Sequence, residues 1–261
     1  MHPVVSLLSV DPSLGKAPNK DSMSQETLME LLLSGCVGTT DICGSPSHPQ
    51  PLSCWKGVAL NLNGDVYTIN WSFFNLGGTI DLQWIPDSVR HFIVCSCSLS
   101  GTFNTSALPP KIDEVWVRSN SFSGSIALED LPRHMRELSA SENLLSGTVN
   151  LERLPETLSH LHLQNNRLTG TLNLTRLPPK MMVLSLQENS FGGTVDLTQL
   201  PPTMNTLFLS NNPLEGETDF SHLPDSLAGL YINNTKLSGR LEKRNKSYGI
   251  KNTDVVYVDQ K

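Results

Sequence analysis

The stretch "LHLQNNRLTGTLNLTRLPPKM", residues 161–181, is followed almost at once by "LSLQENSFGGTVDLTQLPPTM", residues 184–204. Each opens on an apolar, polar, apolar step, passes a glycine and closes on two prolines. The step (Leu161 and Leu163, then Leu184 and Leu186) has the period of two expected of a short strand with one buried face. A proline donates no ladder N–H, but its fixed φ suits a place where the chain reverses. The proline pairs therefore mark corners of a coil rather than ends of helices.

Outward from these stretches, Pro86, Pro109, Pro132, Pro155, Pro178, Pro201 and Pro224 each follow Ile or Leu at a constant spacing of 23. Gly78, Gly101, Gly124, Gly147, Gly170, Gly193, Gly216 and Gly239 keep the same spacing. A period held without an insertion specifies a solenoid. Four residues before a glycine stands Asn120, Asn143, Asn166, Asn189 or Asn212. An amide turned inward there can donate to and accept from the backbones of adjacent coils, forming a ladder. Phe74, Cys97 and Thr235 replace it towards the ends. After the glycine, Thr171, Leu172, Asn173 and Leu174 alternate again, which predicts a second, shorter extended segment on the opposite side of the coil.

The unit L-x-x-L-x-L-x-x-N-x-L-x-G-T-L-x-L-x-x-L-P-x-x resembles the leucine-rich repeat family over roughly residues 63–241. "NRLTGTL" and "NSFGGTV" are similar to the L-x-G-x-I type of plant receptors and protist surface proteins. The resemblance implies a curved repeat solenoid with a parallel sheet on its concave face and short extended segments and turns on the convex side. Both ends of such a stack need covering. Upstream, "SMSQETLMELLLSG" predicts one amphipathic helix, with Ser22 and Gln25 in capping-box register and Gly35 as its stop. "CWKGVALNLNGDVYTINW" is similar to the N-terminal cap of plant-type repeats, which implies Trp55 over the first coil. Ala59 and Leu60 stand where that family carries a second cysteine, so the usual cap disulfide lacks a partner. The expected layout is a disordered 1–20, a cap region 21–62, a solenoid of seven to eight units over 63–241, and a C-terminal cap or tail over 242–261. The alternating Val255 and Tyr257 suit a closing strand, and the charged run before them suits a loose tail.

Composition narrows the functional classes. Net charge is −6 with both signs scattered, so no basic stripe tracks a nucleic-acid backbone. The opening "MHPVVSLLSV" lacks the positive region and small-residue cleavage site of a leader. No apolar run approaches the roughly 18–20 residues of a membrane span. The expectation is a soluble protein, intracellular rather than secreted or cell-surface. Cys36, Cys43 and Cys54 leave room for one bridge, whereas Cys95 and Cys97, two apart on a strand, have poor disulfide geometry. No G-x-x-x-x-G-K, G-x-S-x-G or H-E-x-x-H motif is present, so no enzyme and no cofactor are expected.

The informative surface is the concave face. Its middle column reads Asn70, Ile93, Trp116, Ser139, His162, Ser185, Phe208 and Tyr231, and its neighbour Thr68, His91, Glu114, Glu137, His160, Val183, Thr206 and Gly229. Aromatics beside Arg118 are typical anchors of a protein interface. The candidate ligand-binding set is Ile93, Glu114, Trp116, Arg118, Glu137, His160, His162, Phe208 and Tyr231, holding a protein or peptide partner. Glu137, His160 and His162 also have the donor chemistry of a zinc site, although a solvated polar face is the plainer reading and no metal is assigned. Cys95 beside Arg118 reads as an ordinary thiol. Sequons fall at Asn70, Asn104, Asn173, Asn233 and Asn245. The rival readings are a structural scaffold and a carbohydrate-binding surface protein.

Overall fold

A computed structural model describes residues 20–45, 47–243 and 246–259. The expected disordered N-terminus up to residue 19 and the sequon at Asn245 lie outside the described residues.

The chain is a stack of coils bearing two principal parallel sheets. The long sheet has ten strands, nine of them parallel and laid down in chain order from Val66–Asn70 to Ser247–Gly249. Eight of these follow the 23-residue register, in which Glu137 pairs with Glu114 on one side and His160 on the other. The ninth strand lies outside it, Gly229 pairing with Ser247 in a shorter last coil. The tenth, Val58–Leu60, runs antiparallel to Val66–Ile69 and closes the N-terminal edge.

Each proline corner has the same local chemistry. The carbonyl of Pro109 accepts the N–H of Ile112 at 3.2 Å, and Pro132, Pro155, Pro178 and Pro201 accept from the residue three further on in the same way. The proline thus fixes the turn with its φ and its carbonyl while its missing N–H costs nothing.

The second sheet differs from the sequence expectation. Its strands, Leu99–Thr102, Ser121–Gly124, Leu144–Gly147 and Arg167–Gly170 among them, end at or beside the glycine and do not follow it. Beyond the glycine an Asx side chain takes over the backbone: Asn104 Oδ1 accepts from Ser106 N at 3.2 Å and Asp196 Oδ1 from Thr198 N at 2.8 Å. Such a turn competes with an extended ladder. Short 3-10 turns at Leu82–Trp84 and Thr105–Ala107 carry such a cap, from Asp81 and Asn104, and Leu128–Asp130 forms the same turn behind Ala127 without one.

The asparagine ladder forms as the repeat requires. Asn189 Nδ2 donates to the carbonyls of Leu163 (3.0 Å), Leu186 (3.1 Å) and Gln187 (3.4 Å), while its Oδ1 accepts from Leu168 N at 3.0 Å. Asn143 is equally buried and repeats the pattern one coil at a time. The residue before each of these amides is left-handed: Ser119, Glu142, Asn165, Glu188 and Asn211 have φ of 54–57°. The Asn165–Asn166 and Asn211–Asn212 doublets therefore divide the work, the first tolerating the left-handed bend and the second stitching coils. At Cys97 a thiol substitutes, its Sγ reaching Trp71 O at 3.0 Å. Thr235 Oγ1 instead bonds within its own coil, to Ile232 O at 2.8 Å.

The N-terminal helix spans Gln25–Leu33, and Ser24, not Ser22, caps it by accepting from Thr27 N at 3.1 Å. Gln25 is consequently inside the helix, where its Oε1 accepts from Val66 N and pins the helix to the first long strand. Leu28, Met29, Leu31, Leu32 and Leu33 are buried against the first coils. A second, one-turn helix, Thr40–Cys43, follows. Trp55 is buried and donates its Nε1 to Gln50 O at 3.0 Å. All five thiols are free, so the bridge for which Cys36, Cys43 and Cys54 left room does not form.

Candidate functional site

The register of the long sheet sets the two concave columns side by side. Ile93, Trp116, Ser139, His162, Ser185, Phe208 and Tyr231 are consecutive pairing partners, as are His91, Glu114, Glu137, His160 and Val183. The strand leucines between them are fully buried, which forces these side chains to the outer face.

At the C-terminal part of this face, Phe208 and Tyr231 stack with ring centroids 4.7 Å apart and planes 8° from parallel. Glycine at 229 makes room: a Cβ there would stand 2.9 Å from Tyr231 Cε2. Tyr231 Oη is anchored 2.7 Å from Ser247 Oγ. The two rings form one half-buried apolar plate. Trp116 sits four strands away, also half-buried, and its Nε1 is covered without a hydrogen-bond partner.

Charges between the aromatics are mostly paired. Arg118 meets Glu142 through Nη2 at 2.8 Å and Nε at 3.1 Å, and Ser119 Oγ adds a third bond at 2.6 Å. The Ser119 hydroxyl and then the Arg118 charge hold the Glu142 carboxyl below the usual range. His91 Nδ1 lies 3.1 Å from Glu114 Oε2, and Arg136 approaches the other oxygen at 3.8 Å. Burial pushes the Glu137 carboxyl up, only partly offset by His160. Burial, with His160 adding to it, pushes the His162 imidazole down.

The possible zinc trio does not assemble. The His160 and His162 rings are 6.3 Å apart, with Nδ1 turned to Ser159 Oγ (2.9 Å) in one and to Ser185 Oγ (3.2 Å) in the other. Among the described residues no three His, Cys, Asp or Glu side chains converge to hold a metal ion. Thiol chemistry is disfavoured as well: burial pushes Cys36 up to about 12 and Cys97 up to about 11, so neither forms a thiolate near neutrality. Arg118 is spoken for by Glu142, and the Cys95 Sγ points to Trp116 O at 3.7 Å.

One exposed residue escapes the columns read from sequence. Phe73 has φ of +64° and is 81% exposed, in the place where later coils put Ser96, Ser119, Glu142 and Asn165. A bulky side chain held both left-handed and in water is costly on two counts. The signal was present in the sequence as a Phe breaking a column of small or polar residues.

The sequons at Asn104 and Asn173 have a structural cause. Asn173 Oδ1 accepts from Thr175 N and Thr175 Oγ1, and Asp196 makes the same two bonds to Thr198. Since aspartate cannot carry an N-glycan, the Asx-x-Ser/Thr spelling here is turn chemistry. No helix of the described residues is long and apolar enough to cross a membrane.

No family model and no curated protein matches the chain in sequence. Solved structures do. A plant ice-binding protein superposes with a TM-score of 0.65 at 18% identity, covering 88% of this chain and 86% of its own. The PEPR1–AtPEP1 structure gives 0.64 at 21% identity, covering 82% of this chain and 32% of the other. The LRR ectodomain of the membrane receptor kinase GASSHO1/SCHENGEN3 from Arabidopsis thaliana, in complex with Casparian strip integrity factor 2, gives 0.53 at 22% identity, covering 81% and 30%. The chain thus spans about a third of the length of those two receptor chains. At such identities the likeness shows the fold: a leucine-rich-repeat solenoid.

Proposed function

We propose that this leucine-rich-repeat solenoid is a non-catalytic recognition module that holds a protein or peptide ligand on its concave face. The observation that carries the reading is the pair of apolar anchors, Trp116 and the Phe208–Tyr231 stack, standing apart on one sheet with a polar trough between them. Large aromatics in such a setting supply most of the binding energy of an interface. Two solved relatives of the fold are complexes with AtPEP1 and with Casparian strip integrity factor 2, which supports peptide over other partners. A relative described as an ectodomain also draws the compartment away from the intracellular expectation.

The test is selection of peptides from a random display library on the full chain. Enrichment that is lost on Trp116→Ala, at a cost of about 2 kcal/mol or more in affinity, supports the reading. Enrichment indifferent to Trp116→Ala and Phe208→Ala, or no enrichment, sinks it.

A second reading rests on the other sheet. Thr79, Thr102, Ser125, Thr148, Thr171 and Thr194 form an exposed file, flanked across the glycines by Ser100, Ser123, Ser146 and Thr169. Neither file contains a charge over these coils, although Glu217 and Glu215 continue the two registers beyond them. An uncharged array of hydroxyls and methyls repeating at a strand spacing of about 4.8 Å suits ordered water, and one relative of the fold is described as an ice-binding protein. Ice-recrystallisation inhibition by the purified chain, abolished by Thr148→Lys with Thr171→Lys, would support it. An inactive wild type removes this reading and leaves the first untouched.

A further inference from the structure

We propose that the ligand of the concave face is a basic peptide, seated by an arginine side chain over Gln164 and Gln187. This rests on the recognition reading above and names the chemistry of its partner.

The first observation is a file of polar atoms with nothing to bond. Ser141 Oγ, Gln164 Oε1 and Gln187 Oε1 are buried without a hydrogen-bond partner. They occupy the same place in three consecutive coils, two residues beyond Ser139, His162 and Ser185 of the middle column. Ser141 is 0% exposed. A buried oxygen without a donor costs about 1–3 kcal/mol, so a run of three on one face needs a reason. Ser141 lies beneath the reach of a guest, but Gln164 and Gln187 are partly exposed, and rotation of each amide brings outward an oxygen that only accepts. Their complement is a group rich in donors and free of acceptors. A guanidinium has five N–H donors in a rigid fork and no acceptor, and its fork is suited to oxygens offered from neighbouring strands about 4.8 Å apart.

The second observation is the charge around that file. The arginines of this face are committed: Arg118 to Glu142, Arg90 to Asp113, and Arg136 to Asp113 and Glu114. Glu137, half-buried two strands from Val183, and Glu188, beside Gln187, have no lysine or arginine within ion-pair distance among the described residues. An incoming cation finds carboxylates that no lysine or arginine has claimed, with His160 the only basic group acting on Glu137. An acidic peptide would meet like charge and set acceptors against acceptors.

The third observation is aromatic. Trp116 stands on one flank of the file and the Phe208–Tyr231 plate on the other. Ring faces attract a desolvated guanidinium, most of all that of Trp. Acceptors, carboxylates and rings thus agree on one kind of guest.

The test uses the full chain and peptides taken from the display selection, synthesised with arginine, with citrulline of the same shape but no charge, and with glutamate. The expected result is that arginine-bearing peptides dominate the selection and that citrulline weakens binding about tenfold or more. Gln164→Leu with Gln187→Leu should weaken it by a similar factor without lowering the melting temperature, since the unpaired oxygens are removed. Glu152→Gln, on the other side of the coil, should leave it unchanged. Selected peptides that lack arginine, yet still depend on Trp116, would overturn the cationic assignment while leaving recognition intact. Equal loss in Glu152→Gln would also overturn it, because diffuse attraction would then explain the binding.

Discussion

The two parallel sheets share one chain, one period and one set of buried leucines, yet their outer faces are written in opposite styles. On the long sheet no two neighbouring coils carry the same outward residue in the middle column from Ser139 to Tyr231. On the second sheet the positions beside the glycines repeat Ser and Thr with little change, and only the column Ser121, Leu144, Arg167 and Ser190 varies. A solenoid constrains both faces equally through its core, so the contrast teaches that the variable face is free of structural duty. The constant face is not: the methyl of Thr148 already crowds the glycine of the next coil, where a Cβ at Gly170 would stand 2.8 Å away.

That contrast can be broken at several points. The largest effect is expected at the amide ladder that both faces depend on. Asn189→Leu strips four bonds from buried backbone groups, and should cost about 3–5 kcal/mol by urea titration, given about 1–3 kcal/mol for each group left unsatisfied and partial relaxation. Cys97→Ala at the equivalent place, where one thiol makes weak bonds, should cost far less. Equal losses would mean that the ladder is not what ties the coils together.

Next in size is the second sheet. Gly170→Ala places a side chain at φ +92° against Thr148, whereas Gly147→Ala, at φ +81°, meets only Ser125 Cβ at 3.7 Å. Gly147→Ala should cost about 1–2 kcal/mol in backbone strain, and Gly170→Ala measurably more. Thr148→Ser should recover the difference in a double-mutant cycle.

A smaller effect concerns the pH profile of the long sheet. Because burial lowers the folded-state affinity of His162 for a proton, the stability linked to it is complete above the ordinary value of 6.5 and declines as pH falls below that value. Glu137 is displaced upward, so its share is fullest in acid and is lost as pH rises above 4.5. His162→Asn should flatten the first slope in melting temperature against pH, and Glu137→Gln the second. The smallest effect is at the edge: Phe73→Asn suits a left-handed backbone and should stabilise by about 1 kcal/mol, while weakening peptide capture if Phe73 serves the ligand.

The sequence spelled out the solenoid because its core repeats: Leu161, Leu184 and Leu207 are 23 apart, and each is buried. It misplaced what local backbone chemistry or a break in the spacing decides. The second strand fell on the wrong side of the glycine because Leu172 and Leu174 alternate like a strand while Asn173 bends the backbone. The last coil was hidden because Ser247 breaks the spacing. At the site, column membership was legible from Trp116 to Tyr231. Partnership was not, since the Arg118–Glu142 pair and the turning apart of His160 and His162 depend on rotamers that spacing alone does not fix.

The two ends of the stack are finished differently. At the start, the helix Gln25–Leu33 and the antiparallel strand Val58–Leu60 lock the first coil. At the other extreme, Ser247–Gly249 and Asp254–Val258 are joined to the coil before them by parallel pairing and a few side-chain bonds, such as Asn252 Nδ2 to Asn234 Oδ1, with no helix over them and with Val256 and Tyr257 exposed. Nearest-neighbour coupling in such an array means that opening propagates from its weakest terminus. The molecule should therefore behave as a zipper with one fixed end. Under a stretching force it would peel coil by coil from the C-terminal side, and amide exchange would slow steadily toward Trp71.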